Sequence, residues 1–349
     1  MKNFTKYLNY TIVGLVLAFS LYVYRTLELG RGDAQSALIE ILNPAGEMVG
    51  PEGIQFDAAG NLYVGDAQGV VWVMEHGGSP QVYADLARVQ QLPGKELATG
   101  SIHVGGMAFD TQGNLYAACC AFGGGAILRV DAGTKEVRFF ARDMGVANYL
   151  VITRDSRHLW VSDYRSRGRV LRYPIGSPLL AQPDAAVTDL EYPDGLAFGK
   201  DELVLYAAET RSGYIARLDI AGDRPRGERI INLKGSFAAG SLDGLAFDPR
   251  DSERRFLYVA ENIRGIFTVV DLRAQPARVF KSLRLAQMGG RPCPASMVIR
   301  DGYLYFTDLW SCSPIRILLG IPKWHNHAYR FRVLDLASLY TTETQRSQR

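Results

Sequence analysis

The sequence predicts an all-β fold, a six-bladed β-propeller, behind an N-terminal transmembrane helix. Three observations predict it. A short phrase recurs six times through the chain, in four copies with a glycine before its apolar run. Helical periodicity between the copies is nearly absent, which disfavours parallel βαβ units. The uncharged run Tyr7–Tyr24 precedes the first copy.

The six copies are "PEGIQFDAAGNLYVGD", "VGGMAFDTQGNLYAAC", "ANYLVITRDSRHLWVSD", "PDGLAFGKDELVLYAAE", "LDGLAFDPRDSERRFLYVAE" and "PASMVIRDGYLYFTD". Their first aligned positions are Glu52, Gly105, Asn148, Asp194, Asp243 and Ala295, at intervals of 43–53 residues. Each copy begins with a short apolar strand and a turn such as Ala59-Gly60-Asn61. Gly-Asn between two such runs is hairpin chemistry. A second strand follows with one aromatic: Tyr63, Tyr116, Trp160, Tyr206, Tyr258 or Tyr305. A third strand follows in most copies, as in "GVVWVMEH" and "GYIARLDI", and a fourth in "QVYADL", "VRFFARD" and "RIINL". Four strands in a unit of roughly 40–50 residues make a propeller blade. The expected organisation is a membrane anchor at 1–25, a linker at 26–37, the propeller at 38–320 and a C-terminal extension at 321–349. "ALIEILNP" is expected to be a strand that completes the last blade.

Tyr7–Tyr24 is 18 residues long, with Lys2 and Lys6 before it and tyrosines at both edges. As a helix it spans roughly 27 Å at about 1.5 Å per residue, close to the roughly 30 Å hydrocarbon core of a bilayer. "SLYVYRTLELG" lacks a good signal-peptidase site, so an uncleaved single-pass anchor is expected over a cleaved signal. The basic N-terminal flank favours a propeller on the extracytoplasmic or periplasmic side. The net charge of +3 comes from scattered residues, which points away from nucleic acid.

Innermost strands line a propeller's channel, so the six aligned positions converge at one mouth. Four carry oxygen donors, Glu52, Asn148, Asp194 and Asp243, while Gly105 and Ala295 are small. Crowded carboxylates repel unless a cation or proton intervenes. Carboxylates plus an amide, without thiolates or a histidine cluster, suit Ca²⁺ or another hard divalent cation. Strand capping by Asp and Asn is the structural alternative.

The phrases "PEGIQFDAAGNLYVGD", "PDGLAFGKDELVLYAAET" and "LDGLAFDPRD" resemble the SMP-30/gluconolactonase/LRE family. "DELVLYAAETRSGYIARLDI" is also similar to the strictosidine-synthase-like branch of that superfamily. The likeness runs over about residues 45–315. It implies a six-bladed propeller, a divalent metal at the channel mouth and hydrolysis of lactones or related esters. It places metal ligands at Glu52, Asn148 and Asp243. For the hydrolysis it implies, Asp243 is the expected general base, with Asp194 its competitor and the pair able to titrate together. The blade-four position is usually Asn in the gluconolactonase pattern, and Asp194 departs from it. Two alternatives stay open. One is a strictosidine-synthase-like enzyme joining small molecules without metal. The other is a non-catalytic propeller subunit of a membrane complex.

His103 lies two residues before Gly105, where it can contact substrate or carry a proton, although a solvent-facing loop histidine is the commoner case. His325 and His327 in "WHNHAY" are expected at the surface. The second strands end in Asp66, Cys119, Asp163, Glu209, Glu261 and Asp308, and structural duty is expected for most of these. Cys293 and Cys312 flank blade six's first two strands, and either a disulfide or two free thiols fits. No Gly-x-Ser-x-Gly elbow and no Cys-His-Asn arrangement is present.

Overall fold

The computed structural model describes residues 34–37, 39–89, 102–121, 124–176, 180–222, 224–233, 242–285, 293–308 and 327–332. They form six sheets, one per blade, each built on antiparallel strands running outwards from an inner strand. The inner strands are Ile54–Phe56, His103–Phe109, Ala147–Ile152, Pro193–Phe198, Leu242–Phe247 and Pro294–Arg300. Each packs on the next, and the sixth packs on the first, so the ring is closed.

Alternation along each strand builds the spaces between blades. In His158–Asp163, Leu159 and Val161 face blade two while Trp160 faces blade four. Six apolar clusters result, one between each pair of neighbouring blades. The recurring second-strand aromatic points each time toward the following blade. Tyr63 meets Phe109 edge-on at 4.7 Å between ring centroids, Tyr206 meets Phe247 at 5.7 Å, and Tyr305 meets Phe56 at 4.9 Å. Edge-to-face pairs of this kind add about 0.5–1.5 kcal/mol beyond their buried area.

Described segments on both sides of the six repeats join the blades. Glu40–Ile41 is the outermost strand of blade six, pairing Glu40 with Arg330 and Ile41 with Tyr329. The third strand of that blade is Ala328–Arg332, which lies beyond the residue-320 limit expected for the propeller. The segment "AYRFR" alternates apolar and basic residues, but it lacks the glycine that opens the third strand in other blades. Ala34–Ala37, expected as linker, pairs parallel on the outer strand of blade five. That strand, Arg278–Leu285, has backbone groups that an edge leaves open to a further strand. His327 lies at the blade-six seam, its Nδ1 2.8 Å from the Asn43 carbonyl oxygen. His325 and Tyr7–Tyr24 lie outside the described residues. No helix among the described residues is long and apolar enough to cross a membrane. Cys293 is disulfide-bonded and Cys119 and Cys120 are free thiols, while Cys312 lies outside the described residues.

Arg255 donates Nε and Nη2 to the buried Asp271, at 2.9 and 2.8 Å. Burial raises the Asp271 pKa, but the hydrogen bonds from Arg255 and from the Arg273 backbone bring it below its usual 3.8. A lowered folded pKa contributes stability above 3.8 that is lost as pH falls through the folded value. Arg255→Gln is therefore expected to cost about 1–3 kcal/mol at pH 7. The gap between parent and variant should close as pH drops below 3.8, which urea titrations at several pH values will check.

Candidate functional site

The expected ring positions meet at one mouth, and a repeated backbone device aims them. In blades two to six the ladder between the first two strands gains one residue on the inner strand at the ring position. In blade four, for example, Pro193 pairs with Glu209 and Leu196 with Ala207, so Asp194 and Gly195 share the bulge. A bulge leaves one residue unpaired and re-aims its side chain. The glycines behind the ring allow the strands to approach. A Cβ on Gly53 would sit 2.0 Å from the Gly105 carbonyl oxygen, and one on Gly195 2.3 Å from that of Asp243. Thr307 Oγ1 donates to the Glu52 carbonyl at 2.6 Å and ties blade six to blade one.

The second-strand acids hold the entry to these bulges. Asp163 accepts from the Gly145 and Val146 amides, at 2.9 and 3.2 Å. Glu209 accepts from the Glu191 amide at 3.0 Å, and Asp308 from that of Cys293 at 2.7 Å. Each accepted amide lies two or three residues before a ring position. Structural duty, as the sequence suggests, is what these carboxylates perform.

Four of the predicted site residues are electrostatically joined. Glu52, Asp194 and Asp243 are almost fully buried. His103 Nε2 pairs with Glu52 Oε2. Burial, and then the Glu52 charge, push the Asp243 carboxyl up to about 8. Burial, then Asp243 and Glu52, hold Asp194 well above the ordinary carboxylate range. Burial opposes a charged His103, but Glu52, with Asp66 and Asp243, outweighs it and raises its pKa. Asn148 stands beside Gly105, its Oδ1 3.4 Å from where a Cβ there would lie.

Two site residues escaped the sequence reading. Thr210 Oγ1 donates to Asp194 Oδ2 at 3.1 Å, and Asn262 Nδ2 donates to Asp243 Oδ2 at 2.9 Å. Each directly follows a second-strand acid, Glu209 or Glu261. A signal existed: among the six blades, only the two with Asp at the ring carry Thr or Asn there. Each brace engages one carboxylate oxygen. The other oxygens, Asp194 Oδ1 and Asp243 Oδ1, are buried without a partner, as is Ser296 Oγ in the next blade.

Those oxygens test whether a cation suits the site. Among the described residues no group of three or more His, Cys, Asp and Glu side chains is set for a metal ion. The donor set that remains is two unpartnered carboxylate oxygens and the Asn148 amide, all hard oxygen ligands. It fits a hard cation completed by water, with Glu52 committed in part to His103. Cys120 lies near the same acids, and burial, then Glu52, raise its pKa well above its usual 9.0. It is a poor thiolate nucleophile.

A mouth of converging acids on a closed six-bladed ring defines the class of protein: an all-β propeller with a polar channel-mouth site. The family model described as strictosidine synthase-like, N-terminal, matches residues 39–74. No curated protein sequence matches the chain. Among solved structures it is similar to a regucalcin from Agrobacterium tumefaciens, described as a calcium-binding protein. That likeness has a TM-score of 0.63 at 15% identity, over 86% of this chain and 96% of that one. It is also similar to a gluconolactonase from Xanthomonas campestris, with a TM-score of 0.60 at 18% identity, over 85% and 90%. A luciferin-regenerating enzyme aligns with a TM-score of 0.60 at 13% identity, over 86% and 96%. These likenesses establish the shared propeller fold.

Proposed function

We propose that the protein is a membrane-anchored, divalent-cation-dependent hydrolase of lactones or related esters. One observation carries the reading. Asp194 and Asp243 are buried side by side, each braced through one oxygen and presenting the other, unpartnered, at the mouth. Asp194, Asp243 and Asn148 would hold the cation, with Glu52 at its edge. When bound, the cation would balance the carboxylate charge and polarise the ester carbonyl. Asp243 accepts a proton as water adds to the carbonyl carbon. The carbon–oxygen bond to the leaving alkoxide then breaks, and the proton passes to that oxygen, giving a hydroxy acid from a lactone. His103, held by Glu52, stands ready to carry the proton onwards. Tyr7–Tyr24 would anchor the chain in the membrane with the propeller on the extracytoplasmic side. A membrane-complex partner would then dock on the same side.

The second reading is a strictosidine-synthase-like enzyme that joins small molecules without a cation. The match over residues 39–74 and the Glu52–His103 pair favour it. Metal analysis of the purified full-length protein, followed by a panel of lactones and esters with and without chelator, separates the two. One divalent cation per chain and chelator-sensitive turnover are expected. A metal-free protein that cleaves no ester would leave the non-catalytic propeller as the better reading.

A further inference from the structure

Beside Asp194 the mouth has a wall that hydrolysis alone does not explain. Tyr192 lies two residues before Asp194, and Arg211 directly follows Thr210, the brace of Asp194. The two loops are tied together: the Thr210 amide donates to the Tyr192 carbonyl and the Tyr192 amide to that of Arg165, both at 3.0 Å. Tyr192 has a φ of +54°, a left-handed conformation that bulky residues rarely adopt. Such strain persists only where the surroundings impose it, and it clusters at functional sites. Tyr164 packs edge-on against Tyr192 with ring centroids 5.1 Å apart, and both rings are half-buried.

The arginine on this wall is set apart from its neighbours. Arg165 and Arg169 are bound to Asp163 at 3.1 and 2.7 Å, and Arg229 to Glu209 at 2.8 Å. Arg211 is exposed and pairs with no carboxylate among the described residues. Its guanidinium instead lies 5.5 Å from the Tyr192 ring centroid, and Nη1 donates to the Tyr192 hydroxyl at 3.4 Å. Tyr192 thus holds the guanidinium in place while most of its donors remain unengaged. Thr210, the residue before Arg211, donates to Asp194, whose other oxygen is buried without a partner.

We propose that Tyr164, Tyr192 and Arg211 form a subsite for an anionic group, so that the favoured substrate is an ester or lactone bearing a carboxylate. This rests on the hydrolase reading above. A guanidinium's planar fork matches a carboxylate with two parallel hydrogen bonds. The tyrosine rings supply apolar faces for the substrate's carbon skeleton. A positive group at the rim also offsets the acids of the mouth, which would otherwise repel an anionic ester as it approaches.

Phenyl acetate and monophenyl succinate share a leaving group, and the succinate adds a carboxymethyl group to the acyl methyl. With cation present, the full-length protein is expected to prefer monophenyl succinate in kcat/KM by about tenfold or more, since a charge-assisted hydrogen bond is worth roughly 1.5–3 kcal/mol. Arg211→Gln should lower kcat/KM for monophenyl succinate by about ten- to a hundredfold more than for phenyl acetate, mostly through KM. Tyr192→Phe should lose part of that preference. Arg157→Gln serves as control: Arg157 is 79% exposed in the turn between the first two strands of blade three, paired with Asp155. It should leave the ratio unchanged. Calorimetric titration with benzoate, which cannot be hydrolysed, reads the subsite separately, and Arg211→Gln should weaken its binding about tenfold. Equal benzoate binding by parent and Arg211→Gln, or an equal ester ratio, overturns the subsite. Failure of the parent to cleave either ester would sink the hydrolase reading, and benzoate would still decide the subsite.

Discussion

Asp243→Asn is expected to lower ester turnover by about a hundredfold or more, the lower end of what general-base catalysis contributes. The amide cannot take water's proton near neutral pH, while its shape keeps the bulge and the brace from Asn262 in place. It has a single carbonyl oxygen, which the Asn262 amide and the mouth would share. Cation binding should therefore weaken as well, but less than turnover. Asp194→Asn is expected to be milder. The Thr210 hydroxyl that braces Asp194 can donate or accept, so either end of an amide finds a partner there. Cation content and turnover, measured on both variants and the parent, decide the matter. Full turnover in Asp243→Asn would remove that residue from the role of base.

Asp163→Ala is expected to destabilise the protein by about 2–4 kcal/mol, because it leaves two backbone donors without their acceptor. Those donors are the Gly145 and Val146 amides, which lead into the blade-three bulge at Asn148. Arg165 and Arg169 also lose their partner, but both are partly exposed and water can solvate them. The effect should extend to the mouth, where a loosened Asn148 would weaken cation binding. Urea unfolding gives the stability and calorimetry the affinity. A change below about 0.5 kcal/mol would match an ordinary surface substitution and contradict the role assigned to Asp163.

The sequence alone determined the blade count, the strand order within a blade and the residues at the ring. These follow from patterns local to the chain: alternation with period two, Asp-Gly and Gly-Asn turns, and one aromatic per second strand. Because the unit repeats, equivalent positions such as Asp194 and Asp243 had to fall at equivalent places. What lies between blades was not legible in this way. The pairing of His103 with Glu52, and of Thr307 Oγ1 with the Glu52 carbonyl, joins residues from different blades. No local pattern encodes those contacts, since they depend on how closely the inner strands approach across Gly53 and Gly195. The same holds for Glu40–Ile41, which reaches its partner strand Ala328–Arg332 only when the ring closes. Which oxygen of Asp194 and Asp243 faces the mouth was likewise decided in three dimensions. Thr210 and Asn262 each claim one oxygen, and the other is left buried without a partner.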